Sequence, residues 1–123
     1  MDKISIIVPC YNEEGNIPVF YKEMGKTITK IEGIDYELIF VNDGSSDNSL
    51  FAIKKIAREN QKVKYISFTR NFGKEAAMLA GLQKAEGNFV VIMDADLQHP
   101  VELLPEMYDA VKYESFDCAC AIS

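Results

Sequence analysis

Phe89-Val90-Val91-Ile92-Met93-Asp94-Ala95-Asp96-Leu97-Gln98 is the stretch whose reading decides the fold. Its apolar run is short and carries no polar alternation, which predicts a strand buried on both faces and central to a sheet. The run leads directly into Asp94 and Asp96. In an extended segment, residues two positions apart project to the same side, so the two carboxylates are expected together. Like charges that close repel, and each costs free energy to desolvate unless a cation or a set of donors compensates. A hard divalent ion, Mg²⁺ or Mn²⁺, suits such a pair, because these ions are held by one or two carboxylates together with substrate phosphates. A polar loop that happens to follow a strand carries the same residues without an ion. The rest of the chain decides between the two readings.

Working outward, similar apolar runs occur at Ile4–Val8, stopped by Pro9, at Tyr36–Val41, at Val63–Thr69 and, near the end, at Phe116–Ile122. Each reads as a strand. Helical spacing fills the intervals. Ile17–Ile31 has an apolar face of Val19, Phe20, Met24, Thr27, Ile28 and Ile31, and Asn48–Asn60 has Leu50, Phe51, Ile53, Ile56 and Ala57, with Ser46 or Asp47 placed to cap it. The helix Glu75–Ala85 is rich in small residues (Ala76, Ala77, Ala80, Gly81), which lets it lie close on a sheet. Pro100 stands where the first position of a fourth helix, reaching Tyr113, is expected. Strand–helix alternation with short connections predicts one α/β domain with a parallel sheet and right-handed crossovers.

Composition narrows the partners. The 123 residues, 48% hydrophobic and 26% charged, are ordinary for a soluble globular protein. A formal net charge of −6 without a Lys/Arg cluster argues against a nucleic-acid partner, so an anionic ligand must be met by specific groups or by a metal. Cys10, Cys118 and Cys120 form an odd set with no His or Cys pair to complete a metal site; small buried residues, reduced thiols and a cytoplasmic location are expected. Ile4–Val8 is too short for a signal peptide or a membrane span.

In a parallel sheet the strand C-termini share one edge, and ligands bind outside them where the strand order reverses. Each of the first four strands ends there in a polar cluster: Tyr11-Asn12-Glu13-Glu14, Asn42-Asp43-Gly44-Ser45-Ser46-Asp47, Arg70-Asn71-Phe72-Gly73-Lys74 and Asp94-Ala95-Asp96-Leu97-Gln98. Turns need polar residues anyway, so it is the accumulation on one edge that carries weight. Their chemistry suits a nucleotide. Tyr11 can stack on a base, Asp43 can accept a hydrogen bond from one, and Arg70 and Lys74 supply cations. Lys74 lies near a helix N-terminus, where free N–H groups favour an anion. The acidic pair supplies a metal to bridge a diphosphate. No Gly-x-x-x-x-Gly-Lys-Ser/Thr loop is present, nor a Gly-x-Gly-x-x-Gly after the first strand, which sets aside a P-loop and weakens a dinucleotide site.

With Ser5-Ile6-Ile7-Val8-Pro9-Cys10-Tyr11-Asn12-Glu13-Glu14, Val41-Asn42-Asp43-Gly44-Ser45-Ser46-Asp47, Arg70-Asn71-Phe72-Gly73-Lys74-Glu75-Ala76 and Asp94-Ala95-Asp96-Leu97-Gln98-His99-Pro100, the chain resembles the family 2 glycosyltransferases from Ile4 to its end. It is most similar to the branch containing dolichol-phosphate mannose synthase and the bacterial polyprenyl-phosphate glucosyltransferases. The resemblance implies a GT-A fold, a Rossmann-like parallel sheet with helices on both faces. It also implies inverting, Mg²⁺- or Mn²⁺-dependent transfer of a sugar from a UDP- or GDP-linked donor to a lipid phosphate. By that resemblance Pro9, Tyr11 and Glu13 hold the nucleoside, and Val41 and Asp43 lie at the base. Arg70 and Lys74 belong to a basic loop near base and phosphates, and Asp94 and Ala95 to the ribose and diphosphate. Asp96 and Gln98, with Asp94, are the metal positions. Asn42 and His99 stand where many relatives have Asp; His99 reads as a partly exposed loop residue.

The family's acceptor segment and catalytic base follow the point where this chain stops, as do basic residues for the lipid phosphate and, often, membrane helices. Residues 1–123 are therefore expected to be the nucleotide-sugar-binding part of a longer enzyme, truncated at the C-terminus, which works at the cytoplasmic face of a membrane. By itself this part is expected to transfer no sugar, and to form homo-oligomers through the sheet edge near Phe116. Two alternatives stay open here: a nucleotide-binding module without catalysis, and a sugar nucleotidyltransferase releasing pyrophosphate.

Overall fold

Strands and helices alternate as β1 (Asp2–Cys10), α1 (Asn16–Ile28), β2 (Ile34–Asn42), α2 (Ser49–Glu59), β3 (Val63–Ser67), α3 (Lys74–Lys84), β4 (Phe89–Ile92), α4 (Leu104–Tyr113) and β5 (Cys118–Cys120). The computed structural model describes residues 2–96, 104–113 and 118–120. The strands form one sheet in the order β3-β2-β1-β4-β5, and each neighbouring pair is parallel. The chain winds outward from β1 to β3, returns across β1 to β4, and winds out the other way. The reversal therefore lies between β1 and β4.

This order corrects the expectation that β4 is the central strand. β1 occupies the centre, and its Ile4, Ile6, Ile7 and Val8 are fully buried, whereas Phe89 and Val90 of β4 are only partly covered. The cause is length. β1 and β2 run in register over nine rows, from Asp2↔Ile34 to Cys10↔Asn42, while β1 and β4 share only Ile4↔Phe89 through Ile7↔Ile92. A fully buried Ile, Leu or Phe contributes about 1.5–3 kcal/mol, so β1 and β2 carry more of the core than β4 does.

Period-two alternation distributes the strands' side chains between two layers. Ile4, Ile6, Val8, Leu38, Phe40, Val91 and Met93 face α1, α2 and α4 through Ile17, Phe20, Met24, Ile53, Ile56, Leu104 and Tyr108. Ile7, Ile39, Val41 and Ile92 face α3 through Ala77, Met78 and Ala80. The small residues of α3 do what their composition suggested. A Cβ added at Gly81 falls 2.4 Å from Ile7 Cγ2, so the helix lies close on the central strand.

Several boundaries differ from the sequence reading for identifiable reasons. Pro9 does not stop β1. Cys10 C=O accepts from Asp43 N–H on the β2 side, and Ile7 C=O accepts from Met93 N–H on the β4 side. Backbone groups alternate sides, so Pro9 faces the β4 side beyond the last β1–β4 pair, where no donor is required. α1 ends at Ile28 rather than Ile31, as the Thr29 hydroxyl takes the Lys26 carbonyl at 2.8 Å. Val19 and Phe51 are not core residues but 50% and 66% exposed: Phe20 with Met24, and Ile53 with Ile56, define the buried stripes, and one or two residues' rotation places the others outside. β3 stops at Ser67, short of Thr69. Pro100, Phe116, Ile122 and the Asp117 end of the last apolar run lie outside the described residues. Among the described residues, no helix is long and apolar enough to cross a membrane.

Candidate functional site

The segments that follow β1, β2, β3 and β4 enclose a cleft of about 400 Å³ at the reversal of strand order, lined by Pro9, Cys10, Tyr11, Glu13, Asp43, Asn71, Gly73, Lys74 and Asp94. The first three of these segments are tied to one another by backbone and side-chain polar groups.

The loop after β1 is bolted to the loop after β2. Asn12 adopts the left-handed conformation (φ 54), which Asn tolerates better than most side chains. Its Oδ1 accepts from Ser46 N–H at 2.8 Å and, more weakly, from the Ser46 hydroxyl and Asp47 N–H, while its own N–H donates to Ser45 Oγ at 2.9 Å. Glu13 N–H donates to Ser49 Oγ, and the Glu13 carbonyl accepts the first two N–H groups of α1, from Asn16 and Ile17. Asp47 Oδ1 accepts from Ser49 N–H at 2.9 Å at the first residue of α2, but the cap position itself is Asn48, without a side-chain cap bond, rather than Ser46 or Asp47. Tyr11 is left 48% exposed at the rim.

The loop after β2 is tied to the loop after β3 by Asp43, which is 4% exposed. Its carboxylate accepts from Phe72 N–H at 2.8 Å, Asn71 Nδ2 at 3.0 Å and Gly73 N–H at 3.1 Å. A carboxylate has about four acceptor positions, so three of them already serve the loop. Gly44 (φ 68) makes the junction possible: a Cβ there would sit 2.1 Å from the Arg70 carbonyl carbon and 2.3 Å from Asn71 N.

Asp94 follows β4. Its Oδ1 receives Lys74 Nζ at 2.8 Å, and its side chain is 14% exposed. Its Oδ2 is buried without a hydrogen-bond partner. An unsatisfied buried acceptor costs about 1–3 kcal/mol, more when charged, so a donor or cation entering the cleft would gain by satisfying this atom. The electrostatics agree. Burial first, then the negative charges of Glu13, Asp47 and Asp94, push the Cys10 thiol far above its ordinary range, so it stays protonated and donates to the Val8 carbonyl.

A hard divalent cation fits these donors. Asp94 has a free acidic oxygen, and Asp96 stands exposed two residues on. Among the described residues no cluster of three or more His, Cys, Asp or Glu gathers to cage a metal. Mg²⁺ is commonly held by one or two carboxylates completed by phosphate oxygens, so an ion at these residues would take its remaining ligands from a bound phosphate. One expectation changes: the chain turns at Ala95–Asp96 instead of continuing extended, so strand alternation does not set the two carboxylates side by side.

Of the anticipated residues, Pro9, Tyr11, Glu13, Asp43, Lys74 and Asp94 line the cleft. Val41 and Ala95 do not. They are buried in the two opposite core layers, 0% and 2% exposed. Arg70 is exposed with its guanidinium 4.5 Å over the Phe72 ring, and neither it nor the exposed Asp96 is among the lining residues. Gln98 and His99 lie outside the described residues. Cys10, Asn71 and Gly73 line the cleft unanticipated. Asn71 could have been found from its place beside Arg70 in a polar cluster; its bond to Asp43 could not, because nothing local links residues 28 apart.

The family model for glycosyl transferase family 2 matches residues 5–123. The CsbB protein of Bacillus subtilis is 52% identical over 103 residues, 84% of this chain and 31% of that protein. The bactoprenol glucosyl transferase of Shigella phage SfV is 44% identical over 107 residues, 87% of this chain and 34% of that protein. The mannosyltransferase PcManGT of Pyrobaculum calidifontis, solved with GDP-Man and Mn²⁺, superposes with a TM-score of 0.71 at 26% identity, covering 89% of this chain and 32% of that one. The chain thus spans about a third of the length of these proteins.

Proposed function

The chain belongs to glycosyl transferase family 2 and has the GT-A fold of its solved relatives, and from that premise we propose that residues 1–123 form the nucleotide-sugar-binding part of a glycosyltransferase. The longer enzyme would transfer a sugar, with inversion, from a UDP- or GDP-linked donor to a polyprenyl phosphate at the cytoplasmic face of a membrane. The bactoprenol acceptor in the name of the phage relative, and the GDP-sugar and Mn²⁺ bound by the archaeal mannosyltransferase, support this reading. Catalytic base and acceptor groups are sought in the part of the relatives that this chain does not cover.

The observation that carries the proposal is Asp94 Oδ2, a buried acidic oxygen without a donor at the strand-order reversal of a parallel sheet. In the proposed complex Tyr11 stacks on the base from the rim. Asp43 offers its remaining acceptor position to a base N–H, while Pro9 and Glu13 form the wall beside it. Asp94 accepts from the ribose or faces the metal, and Lys74 faces the phosphates. Asp94 and Asp96, with Gln98 by resemblance, would hold Mg²⁺ or Mn²⁺, which when bound supplies Lewis-acid stabilisation of the departing diphosphate. The residues themselves bind and orient. Restricting the donor in this way converts part of the barrier into binding, an effect that can be worth about 7–11 kcal/mol when both reactants are held.

The test is calorimetric titration of the chain with UDP, GDP, CDP and ADP, with and without Mn²⁺. One base should bind best, and Mn²⁺ should tighten it at least tenfold, roughly 1.4 kcal/mol. In Asp96→Ala the Mn²⁺ gain should disappear while the melting temperature stays within a few degrees. Equal Mn²⁺ enhancement in variant and wild type would remove Asp96 from the metal site, and no nucleotide binding at all would sink the proposal.

A further inference from the structure

Among the described residues lining the cleft, Lys74 alone carries a positive charge, yet it is directed at Asp94 rather than left to an anion. The two partners differ in burial: the Lys74 side chain is 50% exposed, that of Asp94 14%. Lys74 is the first residue of α3, and the backbone before it is pinned, because Phe72 and Gly73 N–H groups both donate to Asp43. What can move is therefore the exposed side chain of Lys74, a flexible four-carbon stem, rather than the loop that carries it.

We propose that Lys74 is a stand-in for the divalent cation: it holds Asp94 in the ligand-free protein and leaves it when a nucleotide diphosphate and a metal ion enter, its ammonium passing to the phosphates. The proposal rests on reading the cleft as a nucleotide-diphosphate site. Three observations support it. An ammonium at Oδ1 leaves Oδ2 without a partner, so the stand-in compensates the carboxylate incompletely. Glu13 and Asp43 line the same cleft as Asp94, so without Lys74 its described lining would carry three acidic side chains and no basic one, although the three do not gather into a cluster. An ion pair with one half-exposed member is weak and can be exchanged.

A consequence follows for binding order. Metal alone must displace Lys74 from Asp94 while bringing no anion to it, whereas a diphosphate brings one. Nucleotide and metal should then strengthen each other, and by linkage the gain is the same from either side. Lys74 acts here on both the anion and the cation, which separates this role from that of a simple phosphate ligand. A phosphate ligand lost by mutation weakens nucleotide binding and leaves metal affinity alone.

The experiment measures Mn²⁺ binding by electron paramagnetic resonance of the free ion, with and without saturating UDP or GDP, whichever binds wild type better. Lys74→Met should bind Mn²⁺ alone about tenfold more tightly than wild type, within the usual range of such couplings. The further gain on adding nucleotide should shrink by a similar factor. Lys74→Gln should behave like Lys74→Met, and Lys74→Arg, which keeps the charge, like wild type. Lys84→Met removes the same charge from the last turn of α3 and should change Mn²⁺ affinity less than twofold, which excludes a general charge effect. Mn²⁺ affinity in both neutral variants equal to or below that of wild type overturns the exchange while leaving the nucleotide reading intact. Absence of nucleotide binding in wild type overturns both, and is recognised before any variant is made.

Discussion

Glu37 and Asp94 are both largely enclosed carboxylates at opposite ends of one sheet, and the protein treats them differently. Glu37, 1% exposed near the N-terminal edge, accepts from the Ser5 hydroxyl at 2.6 Å, Lys64 Nζ at 2.8 Å and Glu86 N–H at 2.6 Å. Burial raises its pKa, but the bonds from Lys64, Ser5 and the Glu86 N–H outweigh that and bring it down to about 2. Asp94, at the C-terminal edge, has one oxygen on Lys74 and the other on nothing. A buried acid that the fold satisfies completely is part of the fold's own cohesion; one left half satisfied is open to a ligand. On the proposed function, the two edges of the sheet divide the work of stability and binding.

The largest effect is expected at the satisfied end. Glu37→Ala strands the Ser5 hydroxyl and the Glu86 N–H in the interior, and removing one member of a buried pair costs about 3–5 kcal/mol. Lys64 is one-third exposed and can turn to water, which places the value near 3 kcal/mol, read by urea denaturation. Nucleotide affinity below the melting temperature should not change. The pH dependence has a definite sign. The folded-state pKa is depressed from 4.5 to about 2, so the contribution is complete above pH 4.5 and is lost as pH falls from there through 2. It amounts to at most about 3 kcal/mol, reduced by water's screening of Lys64. Glu37→Gln should flatten this part of the stability profile. An unchanged acid limb would show that other carboxylates govern it.

Gly44→Ala comes next and bridges the two behaviours. An L side chain in the left-handed conformation costs about 1–2 kcal/mol, and here its Cβ meets the Arg70–Asn71 backbone, which no rotamer change relieves. A loss of roughly 2–3 kcal/mol is expected. Unlike Glu37→Ala, this change should also weaken nucleotide binding, because it pushes away the loop that Asp43 holds. Retained affinity at reduced stability would mean that the 70–73 loop is not part of the site.

This contrast also shows what a sequence can reveal. Asp94 and Asp43 stood out because each follows an apolar run, so their place on the C-terminal edge could be inferred from the common direction of strands in a parallel sheet. Glu37 lay inside such a run and passed as an ordinary strand residue. Its partners become visible only through register: Ser5↔Glu37 on one side and Ile39↔Lys64 on the other set the polar residues together, and no local pattern fixes register. Gly87 completes the network, its N–H on Ser5 Oγ and its Cα so close that a Cβ would fall 2.6 Å from that oxygen. Asn12 belongs to the same class. Its position in a polar cluster was plain, but its left-handed backbone and its bonds to residues 45–47 depend on two loops meeting.

Asp94→Asn should produce the smallest change in stability and the sharpest functional one. The substitution loses the Lys74 ion pair, which with a half-exposed partner is worth about 0–1 kcal/mol. It also removes the charge that left Oδ2 uncompensated, a relief of opposite sign and similar size. The two nearly cancel, so urea denaturation without ligands should place the variant within about 1 kcal/mol of wild type, and a slight gain would fit binding residues that trade stability for function. Mn²⁺-enhanced nucleotide binding, in contrast, should be lost, because the remaining amide oxygen carries no charge for the ion. The same kind of side chain, removed from the other edge, would then have cost stability and spared binding. A loss of 3 kcal/mol or more in Asp94→Asn, as expected for Glu37→Ala, would show that Asp94 is part of the fold's cohesion and that its bare oxygen is not a ligand position.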